Sequence, residues 1–216
     1  MRIGQVGFEL GWMDKIAAVN PEMKIVDLSS GIELIEEEDI EEEQTHAPHL
    51  GHHHHGADPH IWMSVINSGM IAENILHELV LMFPDEKDLL AANYTRFSVR
   101  LDSIDRAIRE KLSGLERKDF IIYHPALAYF ARDYGLVQHP LELEGKMPSP
   151  AHLIQMTDLG MEYKIRCILI QSQFDRRNAE VIAEEIGAKI IQFNPLDPQW
   201  MDQMLYIAEQ FNQTLQ

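Results

Sequence analysis

An α/β fold built on parallel sheet is what this sequence predicts, and three observations carry that reading. After Gly114 short apolar runs alternate with helical patterns, the signature of a parallel sheet wrapped by helices. Before it, from Asp85 to about Ser113, apolar residues recur at three and four with no Pro or Gly, which predicts one continuous helix. The first 84 residues show the same alternation but hold only about two strands. The chain therefore divides into an N-terminal α/β portion over residues 1–84, a linking helix over 85–113 and a C-terminal α/β portion over 114–216.

In order, residues 1–5 read as a short strand. Phe8 to Val19 reads as a helix whose Phe8, Trp12, Ile16 and Val19 share one face, with Pro21 as a stop. Lys24 to Leu28 is a second strand, turned by Ser29, Ser30 and Gly31. Residues 33–58 have almost no apolar periodicity and read as a long exposed insertion, mobile unless metal orders it. Ser64 to Phe83 is a helix carrying Ile66, Met70, Ile71, Ile75, Leu79 and Met82. Pro84 ends it and Asp85 caps the next. That next helix, about 29 residues and roughly 43 Å long, is either a coiled-coil element or a rigid spine joining two lobes. Beyond it come a strand Phe120 to Tyr123, a helix Pro125 to Tyr134 stopped by Gly135, and a strand Leu136 to Leu141. A helix follows, capped by Ser149 with Pro150 at its first position. The run Ile165 to Gln171 is apolar enough for a strand buried on both faces. A helix Arg176 to Ile186 stopped by Gly187, a strand Lys189 to Phe193 and a helix Gln199 to Leu215 close the chain.

Composition narrows function. The formal net charge is −17, which argues against nucleic acid and anionic membrane as partners and suits a protein that attracts cations. Much of that excess lies in one run, Glu33 to Glu43. The single cysteine, Cys167, sits in an apolar strand and reads as inert packing. No stretch is long and apolar enough to span a bilayer, and MRIGQVGFEL lacks a basic start followed by an apolar core.

Residues 45–62 read THAPHLGHHHHGADPHIW and hold seven of the eleven histidines. Imidazole is the commonest side-chain metal ligand, so this density points first to a divalent transition metal. A tag fragment fits poorly, because the run is internal, four residues long and flanked by irregularly spaced histidines; a polar loop without a role is the remaining bland alternative. Ligands in parallel α/β layers sit beyond the carboxyl ends of strands. His60 lies just before a helix, His124 follows the strand FIIY, and Asp197 follows the strand KIIQF. Two imidazoles and a carboxylate from three loops are a reasonable set for Zn2+ or Mn2+. Taken alone, His124 is equally a junction residue and Asp197 reads better as a helix cap beside Pro198. His77 is mid-helix, His152 is near a helix start, and His139 is at most a supporting residue. No G-x-S-x-G, H-E-x-x-H or Gly-rich phosphate loop is present. Glu142 and Glu144 are candidate general bases for a metal hydrolase, with nothing to single them out.

Six segments carry a resemblance: ADPHIW (57–62), NYTRFSVRLDSID (93–105), YHPALAYFARDYGL (123–136), EGKMPSP (144–150), EEIGAKII (184–191) and NPLD (194–197). Collinear and spread over most of the chain, they resemble the metal-binding solute-binding proteins of ABC transporters, of the zinc-uptake, ZnuA-like kind (cluster A-I). The resemblance implies two parallel-sheet α/β lobes bridged by one long rigid helix, with the first lobe truncated here. It implies a metal clamped between the lobes, handed to a membrane permease without catalysis, and a periplasmic or surface-anchored full-length form. His60 and His124 correspond to family ligands and Asp197 corresponds best to the late carboxylate, although some relatives place an aspartate where Asn194 stands. Histidine rather than glutamate at position 124 favours Zn2+ over Mn2+. His46, His49, His52, His53, His54 and His55 form the histidine-rich loop typical of zinc members, an auxiliary capture site. The family's first histidine, in an H-x-Y/H-x-E segment, its opening strands and its export signal are expected upstream of Met1, as with a start assigned too late or a shortened chain. An incomplete first lobe exposes sheet edge and invites homodimerisation or strand exchange. The rival readings are an intracellular zinc buffer or chaperone and, in a third class, a zinc hydrolase. Histidine ligands bind metal only when deprotonated, so affinity for zinc should fall as pH drops through about 6.5.

Overall fold

The computed structural model describes residues 1–36, 56–142 and 145–216. Its centre is a four-stranded sheet, β1 (Asp119–Ile122), β2 (Val137–Pro140), β3 (Cys167–Gln171) and β4 (Lys189–Phe193), in the order β2-β1-β3-β4 with every pairing parallel. β3 is buried at all five positions, as its unbroken apolar run requires of a central strand. The connections are helical: α4 (Ala128–Tyr134) between β2 and β1, α5 (Pro150–Glu162) before β3, and α6 (Arg177–Ile186) before β4, with α7 (Trp200–Thr214) last. Local chemistry sets their ends. The Ser149 hydroxyl accepts from the His152 N–H at the start of α5, with Pro150 at the first position. α4 and α6 stop at Gly135 and Gly187, both in the left-handed conformation at φ 66° that a side chain would oppose. Residues 125–127, expected as the first turn of α4, form a non-helical turn instead, in which Ala126 N–H donates to His124 O.

The long helix is α3, Lys87–Leu112, 26 residues entered through a 3-10 turn at Pro84–Glu86. It is about 39 Å long. Its buried residues, Leu101, Ile104, Ile108 and Leu112, all lie in its second half, where they join the core formed by Phe120, Ile122, Phe130 and Phe211. α3 packs against α2 (Val65–Met82) and α7, so it is shared between the N-terminal helices and the C-terminal sheet. α2 is capped by Ser64, whose hydroxyl accepts from Asn67 N–H and also pairs with Asp133 on α4.

The N-terminal part is slighter. The two strands expected at residues 1–5 and 24–28 meet as one parallel bridge, Arg2 with Asp27, in which Arg2 N–H donates to Val26 O and Leu28 N–H to Arg2 O. Helix α1 forms over Gly7–Val19, but Phe8, Trp12, Ile16 and Val19 are exposed rather than packed inward. A single bridge offers too little sheet for that stripe to cover. What holds α1 is polar: the buried Glu9 carboxylate accepts the Ile3 and Gly4 N–H groups. The expected insertion over 33–58 opens with residues 32–36 packed on α4. It returns through an antiparallel bridge between Glu36 and Ala57, and residues 37–55, the bulk of it, lie outside the described residues.

Candidate metal centre

His124 stands where β1 ends. Beyond Ile122 the pairing with the neighbouring strand continues: Leu141 N–H donates to Ile122 O and Glu142 N–H to Tyr123 O. With Ile122 opposite Pro140, that register carries Glu142 alongside His124. The buried Glu142 carboxylate lies 2.9 Å from His124 Nδ1, placed to accept a hydrogen bond from the ring N–H. From the other side Gln171, at the end of β3, donates from Nε2 to His124 O at 2.8 Å. The ring stacks on Phe174 with centroids 5.7 Å apart.

His60 is held the same way from the N-terminal side. Asp58 is buried, and its Oδ1 accepts both the His60 backbone N–H (2.7 Å) and the ring Nδ1–H (2.8 Å). Asp58 is fixed in turn by its own peptide groups. Its N–H donates to Ile35 O at 2.8 Å, and its carbonyl accepts from the Tyr129 hydroxyl at 2.8 Å. Trp62, 5.3 Å from the His60 ring, donates its indole N–H to Pro195 O at 2.9 Å and so ties this turn to the loop after β4.

A carboxylate on each Nδ1 makes that nitrogen the protonated one and leaves a lone pair on each Nε2. The two Nε2 atoms face one another at 3.3 Å. Two lone pairs at that distance repel unless an electrophile, a proton or a metal cation, is shared between them. Tetrahedral zinc with Zn–N bonds of about 2.05 Å sets its nitrogen ligands about 3.3 Å apart. The rings, 5.1 Å between centroids and inclined at 76°, thus present one edge of such a tetrahedron.

The third residue expected here does not join them. Among the described residues no group of three or more His, Cys, Asp or Glu could hold a metal ion. The Asp197 carboxylate accepts the Gln199 N–H at 2.8 Å, an Asx turn leading into α7. Asn194 is likewise used locally, its side-chain oxygen accepting the Leu196 N–H. His139, weighed as a supporting residue, pairs with Asp119 at the far end of β1, and His152 Nε2 lies 3.4 Å from Pro140 O. His77 is exposed on α2. His46, His49, His52, His53, His54, His55 and Glu144 lie outside the described residues. Missed by the sequence reading were the orienting role of Asp58 and Glu142 and the parts played by Tyr129, Trp62 and Gln171. The D of DPH was the available signal for the first.

The family model described as ZnuA, zinc-uptake complex component A, periplasmic, matches residues 3–214. The chain belongs to this family. The zinc-binding lipoprotein AdcA of Streptococcus pneumoniae (strain ATCC BAA-255 / R6) is 33% identical over 159 residues, covering 73% of this chain and 32% of that protein. The high-affinity zinc uptake system protein ZnuA of Bacillus subtilis (strain 168) is 32% identical over 174 residues, 80% of this chain and 54% of its own length. The chain thus spans between a third and about half of these relatives. A crystal structure of ZnuA superposes with a TM-score of 0.86 at 34% identity, covering 99% of this chain and 78% of that one. A ZnuA deletion mutant with zinc bound gives 0.83 at the same identity, over 99% and 76% of the two chains.

Proposed function

We propose that this chain binds Zn2+ as cargo between His60 and His124 and delivers it, outside the cytoplasm, to an ABC-type importer in the membrane. The observation that carries the proposal is the 3.3 Å separation of the two Nε2 atoms, each ring backed by a carboxylate at its Nδ1. Imidazole nitrogen suits Zn2+ better than it suits Mn2+, whose preferred donors are oxygens. The relatives are described as zinc-binding or zinc-uptake proteins, which supports the same cargo. Residues 1–84 and 114–216 act as the two lobes, with 85–113 as the spine between them. His60 comes from the first and His124 from the second. Asp197 is the nearest thing to a late carboxylate ligand in sequence order, and it joins the cation only by leaving its turn with Gln199. The histidines at 46, 49 and 52–55 add weaker capture, and the exposed face of α1 makes the first lobe the surface through which two copies would pair. No bond is made or broken in such a cycle, so the chain needs no catalytic group.

Titration calorimetry with Zn2+ tests this. His124→Ala should lose the tight site, whereas deletion of residues 46–55 should keep it and remove only weaker binding. Unchanged affinity and stoichiometry in His124→Ala would end the proposal.

A further inference from the structure

Tyr129 lies on α4, fully buried, well behind the two imidazoles. Its hydroxyl does two things at once: it donates to Asp58 O at 2.8 Å and accepts the Ile35 N–H at 3.2 Å. Asp58 N–H donates to Ile35 O at 2.8 Å. These three bonds form a closed circuit, Tyr129 to Asp58, Asp58 to Ile35, and Ile35 back to Tyr129. Both peptide polar groups of Asp58 are consumed in it, leaving its carboxylate alone to face His60. One residue farther out the chain closes again, at the bridge between Glu36 and Ala57. The ring is gripped as well: the Arg132 guanidinium sits 5.1 Å from its centroid and donates to Glu33 O at 2.9 Å. A buried tyrosine hydroxyl finds a partner in most cores; what marks this one is that both of its bonds go to the paired peptides of Asp58 and Ile35.

We infer that Tyr129 is a positioning residue for cation binding, setting the orientation of the His60 ring through Asp58 at the point where the chain enters and leaves segment 36–57. The inference rests on the reading of His60 and His124 as the metal-binding pair. Its logic is a relay. The Tyr129 hydroxyl fixes the Asp58 peptide, that peptide fixes the carboxylate, and the carboxylate fixes the tautomer and tilt of the imidazole. Loss of the hydroxyl keeps the aromatic packing but frees the Asp58 carbonyl and the Ile35 N–H from their shared partner.

The test uses the whole chain with Zn2+ competed against a chromophoric chelator, and Co2+ as a visible-spectrum reporter of the site. Tyr129→Phe should weaken Zn2+ by about tenfold, at the lower end of what loss of an outer partner costs, and alter the Co2+ ligand-field bands. Asp58→Ala should weaken it more. In the double variant Tyr129→Phe with Asp58→Ala, affinity should match Asp58→Ala alone, because a residue acting through the Asp58 side chain has nothing left to act on. A Tyr129→Phe protein that melts earlier yet binds Zn2+ as tightly, with an unchanged Co2+ spectrum, would show that the hydroxyl serves stability only and would overturn the inference. Losses that multiply in the double variant would do the same. His60→Ala, measured alongside, separates the two levels: if it binds Zn2+ as wild type does, the metal-binding reading itself fails, and if it loses binding while Tyr129→Phe does not, only the relay fails.

Discussion

Replacing Glu142 with glutamine removes one charge and leaves the shape of the site intact. Glu142 is buried and lies 2.9 Å from His124 Nδ1. Adding that hydrogen bond, the width of the ring and a Zn–N bond puts the carboxylate about 7 Å from a cation on Nε2. Coulomb's law for a divalent ion at that distance gives about 5 kcal/mol at an effective dielectric constant of 20. His124 is partly open to solvent. Screening therefore brings the cost toward the tenfold to hundredfold loss usual for outer carboxylate partners, about 1.4 to 2.8 kcal/mol. Geometry adds a second penalty. If the glutamine turns its NH2 toward Nδ1, the ring proton moves to Nε2 and the lone pair that meets the metal is lost. Glu142→Gln should therefore bind Zn2+ between ten and a hundred times more weakly than wild type at pH 7, measured by chelator competition with the melting temperature as a check on folding. A folded Glu142→Gln protein within threefold of wild-type affinity would refute the idea that the carboxylate supports the imidazole.

Three further outcomes are expected. Zn2+ should change the tryptophan emission of the wild type, because Trp62 lies against His60, and Trp62→Phe should abolish that change while Trp12 and Trp200 remain. Burial raises the Asp27 pKa, but hydrogen bonds from the Ser29 hydroxyl and N–H and the Arg2 guanidinium outweigh it and hold the carboxyl below its ordinary value. A depressed folded pKa stabilises above the unfolded value of about 4 and is lost as pH falls through the folded one. Asp27→Asn should therefore flatten the drop in melting temperature between pH 5 and pH 3 (on the order of those values), modestly, because the pair is partly exposed. Cys167, its pKa pushed by burial up to about 12, should resist iodoacetamide at a pH of about 8 in the native protein and react fully in denaturant, as mass spectrometry will read.

How much of this could be read beforehand depended on range. The stop of α4 at Gly135, the cap of α5 at Ser149 and the burial of β3 are decided within a few residues, and the sequence reading placed them correctly. The direction in which α1 faces was not, because an amphipathic stripe says that a surface is needed and not whether one is there. Histidines 60 and 124 were legible as residue types in loops beyond strands. Their partners were not equally so. Asp58 sits two residues from His60, whereas Glu142 reaches His124 only through the β1–β2 register, and a shift of one residue would turn its side chain to the other face. Tyr129 was not singled out, since nothing local says where a hydroxyl will point. Asp197, read on its own as a helix cap beside Pro198, instead makes an Asx turn with the Gln199 N–H, and α7 starts beyond it with Gln199 at the cap position.

The two imidazole–carboxylate pairs also bear on valence. Asp58 and Glu142 place an acidic side chain behind each ring, so on the proposed reading two carboxylates would face the charge of a cation held between the Nε2 atoms. A divalent ion restores electroneutrality there, while a monovalent ion leaves a surplus of one sign and a trivalent ion a surplus of the other. On the proposed reading, the charge that the site balances would be set by the backs of the rings as well as by the atoms that touch the metal.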